Sequence, residues 1–500
     1  MATPNSLVRK IFEYGEKVKL WILKADLSDA YKNLAIAFSA LHTQAIYLCG
    51  VLFADGRMLF GHNLSAHRFV FMHSALQLLF VFPMIKLSET QLKMAIDDST
   101  IICDSEENGL EYYARYKLVV ETCGLKLKPH DVNLEKAFLP SPRGQALGIE
   151  FNLADRSWWA PQKKLNDLSA SLDGIINKQN PAKPIAFSVN EMQKCLGILE
   201  NFSHLTRLGK TLMLVPAAEE AFYLSKFHEE NDLAPKKQTK LCTFSAHSRT
   251  NLLLFRALLV ISPAHPLKLE NPDLPQQVHC GCDITLFSDA SGIPKTLSET
   301  SNTSYRPTCG GIYWQAHGRN QRPLAVSFVM PYSFLVGKAM DDGSGKHRYI
   351  QDQTVLLELI PVCAVLLQFP ERFIRKSVVL HTDNLTAVNL FNNCWAKKIY
   401  TAYIIEAINI ITATLETKLV LKWCRRRSSY PMEVADDLTH GDFSAARPET
   451  DCQLLSLPAP LFEVVHATTS YHAHTFNLLR GNIKSYLLSK FPHLQYPLVI

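Results

Sequence analysis

Hydrophobic positions in the first 155 residues fall into short runs bounded by polar and turn residues. The run LWILKAD (20–26) predicts a strand that ends on the carboxylate of Asp26. Two β-type runs, 92–96 and 99–103, flank Asp97 and Asp98 and predict a hairpin with both aspartates at its tip. A helix is predicted from about 105 to 123, where Gly124 follows at a C-cap-like position.

The hydrophobic pattern changes character twice in the rest of the chain. It is mainly helical from about 160 to 230, and the charged, proline-broken segment 229–240 then predicts a linker. After residue 281 strands alternate with helices, among them an amphipathic helix that carries Glu358 on an otherwise apolar face. This order is typical of a mixed sheet covered by helices.

Composition and charge limit the classes of protein to which this chain can belong. A chain of 500 residues, 47% hydrophobic and 20% charged, predicts a folded protein of two to four domains. The formal charge of +6 permits a polyanionic partner without requiring one. The twelve cysteines lack metal-site spacing, and no signal peptide or membrane-spanning stretch is evident. We therefore expect a soluble protein without a membrane partner, located in the cytoplasm or nucleus.

Two sets of carboxylates lie at predicted strand ends, turns and helices, where they could converge to bind metal ions. The strand-end Asp26 and the hairpin pair Asp97 and Asp98 converge if their strands are neighbours in one sheet. Converging carboxylates repel one another and normally bind divalent cations, and oxygen ligands suit Mg²⁺ or Mn²⁺. The alternative is that Asp26 and Asp98 merely cap a helix and a turn. Their order along the chain favours the metal site.

The first set resembles the palm of reverse transcriptases. KADLSDAYKNLAI (24–36) is similar to the first palm motif, with Asp26 as metal ligand and Tyr31 as the aromatic that screens out a ribose 2′-hydroxyl. MLFGHNLSAHRFVF (58–71) resembles the motif that lines the template and nucleotide pocket, which implies nucleotide contacts from Phe60 and Gly61. AIDDST (95–100) supplies Asp97 and Asp98, and GLKLKPH with ALGIEFN resembles the remaining palm motifs. The resemblance implies an RNA template, a DNA primer and deoxynucleoside triphosphates as partners.

The second set resembles ribonuclease H. Its four carboxylates, from a first strand, a helix, a later strand end and a last helix, are Asp289, Glu358, Asp383 and Asp436. The resemblance implies that they hold two Mg²⁺ ions and cleave the RNA strand of an RNA–DNA hybrid. We expect the four to converge at one edge of a mixed five-stranded sheet, and their pKa values to rise without metal because like charges this close cannot all stay ionised. Asp437 competes with Asp436, which is preferred because it directly follows the alanine of ADDL. The alternative makes Glu358 a solvated residue and Asp383 a helix cap. The burial of Glu358 in VLLELIPVCAVLL argues against it.

The order of these motifs most resembles the polyproteins of DIRS-type retrotransposons, and long-terminal-repeat elements are the nearest alternative. The implied fold is an α+β multidomain protein, with a reverse-transcriptase palm and helical thumb followed by a ribonuclease H-like mixed-sheet α/β domain. The implied divisions are a palm at 1–155, a thumb-like region at 156–235, a linker or connection at 236–280, a ribonuclease H-like domain at 281–445 and an extension of unknown role at 446–500.

Departures from the motifs leave a second function open. Only some two dozen residues precede Asp26, which predicts that the fingers are missing, and Ala95 replaces the usual aromatic before the paired aspartates. The alternative function is a truncated or domesticated remnant that binds nucleic acid, with hybrid cleavage at most. Arg425–Arg427 are either a solvated face or phosphate contacts. Zinc at the histidines of HATTSYHAH (466–474) is a less favoured alternative to exposed polar residues.

Overall fold

The computed structural model of the 500-residue chain describes a defined set of residues. They are 4–14, 18–28, 45–48, 51–54, 92–95, 98–130, 137–176, 184–203, 205, 207–229, 241–261, 265–266, 282–291, 308–315, 322–330, 340–341, 347–348, 354–458 and 461. The chain divides into two compact units, the first comprising 1–166 with 259–269 and the second 167–258 with 270–500.

Short strands dominate the first unit. Its elements are α1 (Pro4–Glu13), β1 (Trp21–Asp26), β2 (Ala45–Leu48), β3 (Val51–Ala54), β4 (Leu92–Ala95), β5 (Asp98–Cys103), α2 (Glu106–Thr122), β6 (Phe138–Ser141), β7 (Arg143–Ala146), β8 (Ile149–Asn152) and β9 (Ser157–Trp159). Helix α3 (Gln162–Ile175) crosses into the second unit. One antiparallel sheet has the order β4-β5-β1-β6. The predicted strand at Asp26 and the predicted hairpin are therefore neighbours in one sheet.

Local sequence explains the helix that covers this sheet. Ser105 caps α2 by accepting a hydrogen bond from the backbone N–H of Asn108, and Gly124 lies beyond its end with a φ of +75°. The hydroxyl of Tyr116 on α2 lies 2.5 Å from that of Ser99 on β5. The predicted helix and its C-terminal glycine are confirmed.

Helices and one large sheet form the second unit. Its helices and short strands before that sheet are β10 (Phe187–Ser188), α4 (Val189–Ser203), α5 (Arg207–Glu229), β11 (Leu241–Cys242) and α6 (Ala246–Ile261), whose last residues cross into the first unit along with β12 (His265–Pro266). The later elements are β13 (Ile284–Ala290), β14 (Thr308–Gln315), β15 (Leu324–Met330), β16 (Met340–Asp341), β17 (His347–Arg348), α7 (Thr354–Gln368), β18 (Ser377–Thr382), α8 (Leu385–Asn393), α9 (Ile399–Thr414), β19 (Lys418–Trp423), α10 (Tyr430–Leu438) and β20 (Asp451–Ser456).

The large sheet is mixed and has the order β19-β18-β13-β14-β15-β20. Strands β13, β14 and β15 are antiparallel, whereas β18, β19 and β20 join by parallel pairing. The prediction of a mixed sheet is confirmed, but the expectation of five strands is wrong because β20 adds a sixth. Most side chains of β20 are partly or fully exposed, as on an edge strand, so DCQLLS lacks the apolar run that marks the other strands.

The two faces of this sheet are covered differently. One core joins the sheet to α7 and α9 and includes Leu214, Val215 and Ala218 of α5. The other face packs against α10 through a smaller cluster around Phe287 and Ala435. None of the helices among the described residues is long and apolar enough to span a membrane.

A buried polar contact joins two helices of the second unit. His247 and Asn251 on α6 meet Glu406 on α9, and all three side chains are fully buried. The Nε2 of His247 lies 3.0 Å from Glu406 Oε2, and the amide nitrogen of Asn251 donates to the same carboxylate at 3.2 Å. Removing one partner of such a contact leaves a buried polar group unsatisfied.

Candidate metal centres

Two neighbouring strands bring the first pair of carboxylates together. Asp289 is the second-last residue of β13, and Asp383 directly follows β18. The two strands are parallel, with Phe287 opposite His381, so the two aspartates follow at equivalent positions of the same strand ends. Asp289 is buried and Asp383 is partly exposed. This edge of the sheet therefore carries two adjacent carboxylates.

Helix α7 brings a third carboxylate to this edge. Glu358 is 8% exposed and lies in a helix that is buried from Leu356 to Leu367. The hydroxyl of Thr382 donates to Glu358 Oε2 at 3.3 Å. One oxygen each from Asp289, Glu358 and Asp383 lie within 4.8 Å of one another, a spacing that one divalent ion can bridge. We call these three residues the carboxylate triad.

The fourth predicted carboxylate, Asp436 on α10, is held by two arginines. Its Oδ1 accepts from Arg426 Nε at 3.1 Å, and its Oδ2 accepts from Arg427 Nε at 2.6 Å. Arg426 also reaches the triad, at 3.8 Å from Asp289 Oδ2 and 3.9 Å from Asp383 Oδ2. Asp436 is therefore connected to the triad through a guanidinium group. Asp437, the competing candidate, is more exposed and lies 3.5 Å from Arg427.

Burial and like charge act on the pKa values of this site in the absence of a metal. Burial, Asp383 and a hydrogen bond with Asp436 raise the pKa of Asp289 to about 7. Burial, Asp289 and Asp383 raise the pKa of Glu358 well above its usual value. The expectation of raised pKa values is therefore confirmed for Asp289 and Glu358 and is wrong for Asp436. Burial opposes its charge, but hydrogen bonds from Arg426 and Arg427 outweigh that effect and lower its pKa.

The residues of the triad fit a hard divalent cation. The buried Oδ2 of Asp289 accepts no hydrogen bond from the described residues, although it lies among like charges. An orphaned, desolvated oxygen of this kind is satisfied when a cation binds. Carboxylate oxygens are the ligands that Mg²⁺ and Mn²⁺ prefer. The role of these residues as metal ligands stays a prediction.

Stability without metal should depend on pH through Asp289. Because the pKa of Asp289 is raised in the folded protein, folding favours its protonated form. The stabilisation that results is complete below the ordinary pKa of 3.8 and is lost as the pH rises to about 7. Asn cannot ionise, so in EDTA the melting temperature of Asp289→Asn should exceed that of the wild type by about 2–4 °C at pH 8, and the gap should close near pH 4. Thermal melts across this pH range test the expectation. A gap that is constant with pH would contradict it.

The first unit contains the other predicted set. Asp26, the last residue of β1, is fully buried and pairs in register with Asp98, the first residue of β5. Lys128 Nζ lies 2.8 Å from Asp26 Oδ2, and the backbone N–H of Lys128 donates to the carbonyl of Asp26 at 2.8 Å. The side chain of Asp98 lies outside the described part of the chain, as do Asp97, Tyr31, Phe60, Gly61 and the histidines at 466–474. Their predicted roles stay predictions.

Sequence reasoning missed the cations of both sites. Lys128 lies in GLKLKPH, which was noted only as a motif, yet its side chain pairs with Asp26 across 102 residues of sequence. Arg426 and Arg427 were noted as a basic run with two alternative roles, and the structure pairs both with carboxylates. A signal was available for the arginines, because they come within four residues of the end of β19, whose neighbour β18 ends directly before Asp383. No such signal marks Lys128.

Of the comparisons with known proteins, the one with solved structures gives matches. No family model matches the chain, and no curated protein matches it. Similar solved structures include the foamy viral protease-reverse transcriptase in complex with RNA/DNA hybrid (12% identity, TM-score 0.35, 82% of this chain and 44% of that one). They also include its complex with dsDNA (13% identity, TM-score 0.33, 82% of this chain and 68% of that one). A third is its dRH form in complex with ds DNA (11% identity, TM-score 0.35, 86% of this chain and 60% of that one).

The chain spans 60% of the length of the dRH form. Likenesses with TM-scores below 0.5 do not identify a fold or an activity. The function proposed below therefore rests on strand order and on the geometry of the carboxylates.

Proposed function

We propose that the chain is a retroelement-derived RNA-directed DNA polymerase with ribonuclease H activity, most like DIRS-type elements. The observation that carries the nuclease part is the carboxylate triad, whose ligand atoms lie within 4.8 Å of one another at the edge of a six-stranded mixed sheet. The order of contributing elements, a central strand, a helix and a neighbouring strand end, agrees with the sequence resemblance. The substrate is the RNA strand of an RNA–DNA hybrid.

The chain's own residues would prepare the site for metal. Asp289, Glu358 and Asp383 would hold one Mg²⁺ or Mn²⁺ ion, and Asp289 with Asp436 would complete the site for a second. Bound divalent ions activate a water molecule and stabilise the leaving 3′-oxygen. Thr382 orients Glu358, and its Oγ1 also accepts the backbone N–H of Asn384 at 3.2 Å, which fixes the turn that carries Asp383.

The exposed Trp423 lies beside this turn. Its indole N–H donates to the carbonyl of Asp383 at 3.0 Å, while 53% of the residue remains exposed. The ring therefore offers an apolar surface at the rim of the site, on which a base or ribose of the bound strand can pack.

The polymerase part rests on the first unit. In-register pairing of Asp26 with Asp98 supports a second two-metal site completed by Asp97, with Tyr31, Phe60 and Gly61 contacting the incoming deoxynucleoside triphosphate. RNA template and DNA primer are the partners that this activity requires. The alternative remains a remnant that binds nucleic acid and cleaves hybrids at most. An intracellular location belongs to the same proposal, and the nine cysteines whose side chains the structure describes form no disulfide.

One substrate tests both activities. A labelled DNA primer annealed to a labelled RNA template is incubated with the full chain, deoxynucleoside triphosphates and Mg²⁺, Mn²⁺ or EDTA. We expect the RNA strand to be cut within the hybrid and the primer to be extended, each only with a divalent ion. Single-stranded RNA and a DNA duplex are the controls and should stay intact. Cleavage without extension would support the remnant. The absence of both activities would contradict the proposal.

A further inference from the structure

Arg426 and Arg427 occupy a position that the proposed nuclease mechanism leaves unexplained. They follow β19 on a short turn and bond to the two oxygens of Asp436, one arginine to each oxygen. Among the described residues, the ion pairs to Asp289, Asp383 and Asp436 come only from this pair. We call Arg426 and Arg427 the arginine pair.

The arginine pair competes with a metal for the same oxygens. A carboxylate whose two oxygens both accept charged hydrogen bonds has lost much of its capacity to ligate a cation. Arg426 also places a positive charge within 4 Å of Asp289 and Asp383, where it opposes the approach of a second cation. The metal position between Asp289 and Asp436 is thus taken by a protein cation.

The arginine pair is exposed enough to move away from Asp436. Their side chains are 61% and 62% exposed, in contrast to the buried Asp289 and Asp436 that they contact. Their exposed guanidinium groups can turn toward solvent when a second cation takes over the buried carboxylate, which would otherwise be left uncompensated. A planar guanidinium also matches the geometry of a phosphate, which it binds through two parallel hydrogen bonds.

We propose that the arginine pair is an internal counter-cation that a divalent metal displaces from Asp436, and that the freed guanidinium groups bind phosphates of the nucleic acid strand entering the site. Metal and strand then favour each other's binding, because each removes the arginine pair's competing contact, and this coupling is reciprocal. The inference rests on the metal site of the proposed function. Its test reads binding rather than cleavage, so the two can fail separately.

The first experiment measures metal affinity by calorimetry. Mn²⁺ is titrated into the metal-stripped full chain as wild type, Arg426→Gln and Arg425→Gln, and heat that disappears in Asp289→Asn is assigned to this site. Arg425→Gln is the matched control, since it removes the same charge from the same turn and Arg425 is exposed without a recorded ion pair among the described residues. We expect Arg426→Gln to bind Mn²⁺ about fivefold or more tightly than wild type, and Arg425→Gln to stay within about twofold. Equal affinities of the two variants would overturn the proposal.

The second experiment measures binding of a labelled DNA duplex, which has no ribonucleotide to cut, with and without Mn²⁺. Wild type should gain about fivefold or more in affinity on adding metal, and a variant with both Arg426→Gln and Arg427→Gln should lose most of that gain. An undiminished gain in this variant would overturn the phosphate contact. A chain that passes both tests yet leaves RNA–DNA hybrids intact would contradict the proposed function and not this inference.

Discussion

An Asp289→Asn variant should cleave an RNA–DNA hybrid at least about a hundredfold more slowly than the wild type in saturating Mg²⁺. Asp289 connects the parts of the site: it belongs to the triad, and Arg426, which binds Asp436, lies 3.8 Å from its Oδ2. Asn keeps the shape of the side chain and removes the charge that would hold both ions. The measurement is the initial rate of cleavage of the labelled RNA strand.

A matched control lies on the same segment of chain. Asp283 precedes β13, is 42% exposed and forms a long ion pair with Lys376, at 3.8 Å. Its Oδ2 also accepts the backbone N–H of Ser377 at 2.8 Å, a bond that the side-chain oxygen of Asn can keep. Its substitution by Asn should change the cleavage rate by less than about twofold, because exposed ion pairs contribute little. Equal rates in wild type and Asp289→Asn would show that the activity belongs to another site or another protein. A comparable loss in Asp283→Asn would point to a general effect on the fold.

Gly311→Ala should damage stability and activity together. Gly311 lies on β14, directly opposite Asp289 in the sheet, and α10 packs against it so closely that a Cβ atom would lie 2.7 Å from Leu438 Cβ and closer still to the carbonyl oxygen of Ala435. Overpacking of this kind costs about 1–3 kcal/mol, which corresponds to a melting temperature lower by roughly 2–6 °C. Because α10 also carries Asp436, its displacement should slow hybrid cleavage on the order of tenfold.

Gly197→Ala is the control for this substitution. Gly197 lies inside helix α4, and a Cβ atom there would meet nothing within 4 Å. Ala is the better helix former by about 0.5–1 kcal/mol, so the melting temperature should stay or rise. Thermal melts and cleavage rates of both variants complete the comparison. If Gly311→Ala melted and cleaved like the wild type, the close packing of α10 on β14 would be refuted.

The sequence predicted those features that depend on the order of apolar and polar residues along the chain. Asp289, Glu358 and Asp383 each close or interrupt an apolar run, and a polar residue in such a place signals its own burial. The same signal marks the strand that ends at Asp26. That β13 and β18 are neighbours, although β14 to β17 and α7 separate them along the chain, was implied only by the resemblance to ribonuclease H.

The sequence did not predict contacts between residues distant along the chain. The pairing of Lys128 with Asp26 depends on how the segment after α2 returns beside β1, and no periodicity encodes that return. The low pKa of Asp436 follows from two arginines whose direction is set by the turn after β19, where Arg427 has a φ of +51°. β20 was missed because an exposed edge strand needs few apolar residues. Such features are fixed by tertiary packing, which overrides local pattern.

The buried contact of His247 and Asn251 with Glu406 bears on how this chain can be divided or inherited. It joins α6, which precedes the large sheet in sequence, to α9, which is inserted between two of its strands. A piece of the chain that began at residue 281 would lose these partners and the contribution of α5 to the core. It would carry the unsatisfied carboxylate of Glu406 on an uncovered apolar helix. The smallest piece that recombination could move intact is therefore the helices together with the sheet. A protein that retained the large sheet and its carboxylate triad would therefore retain these helices as well.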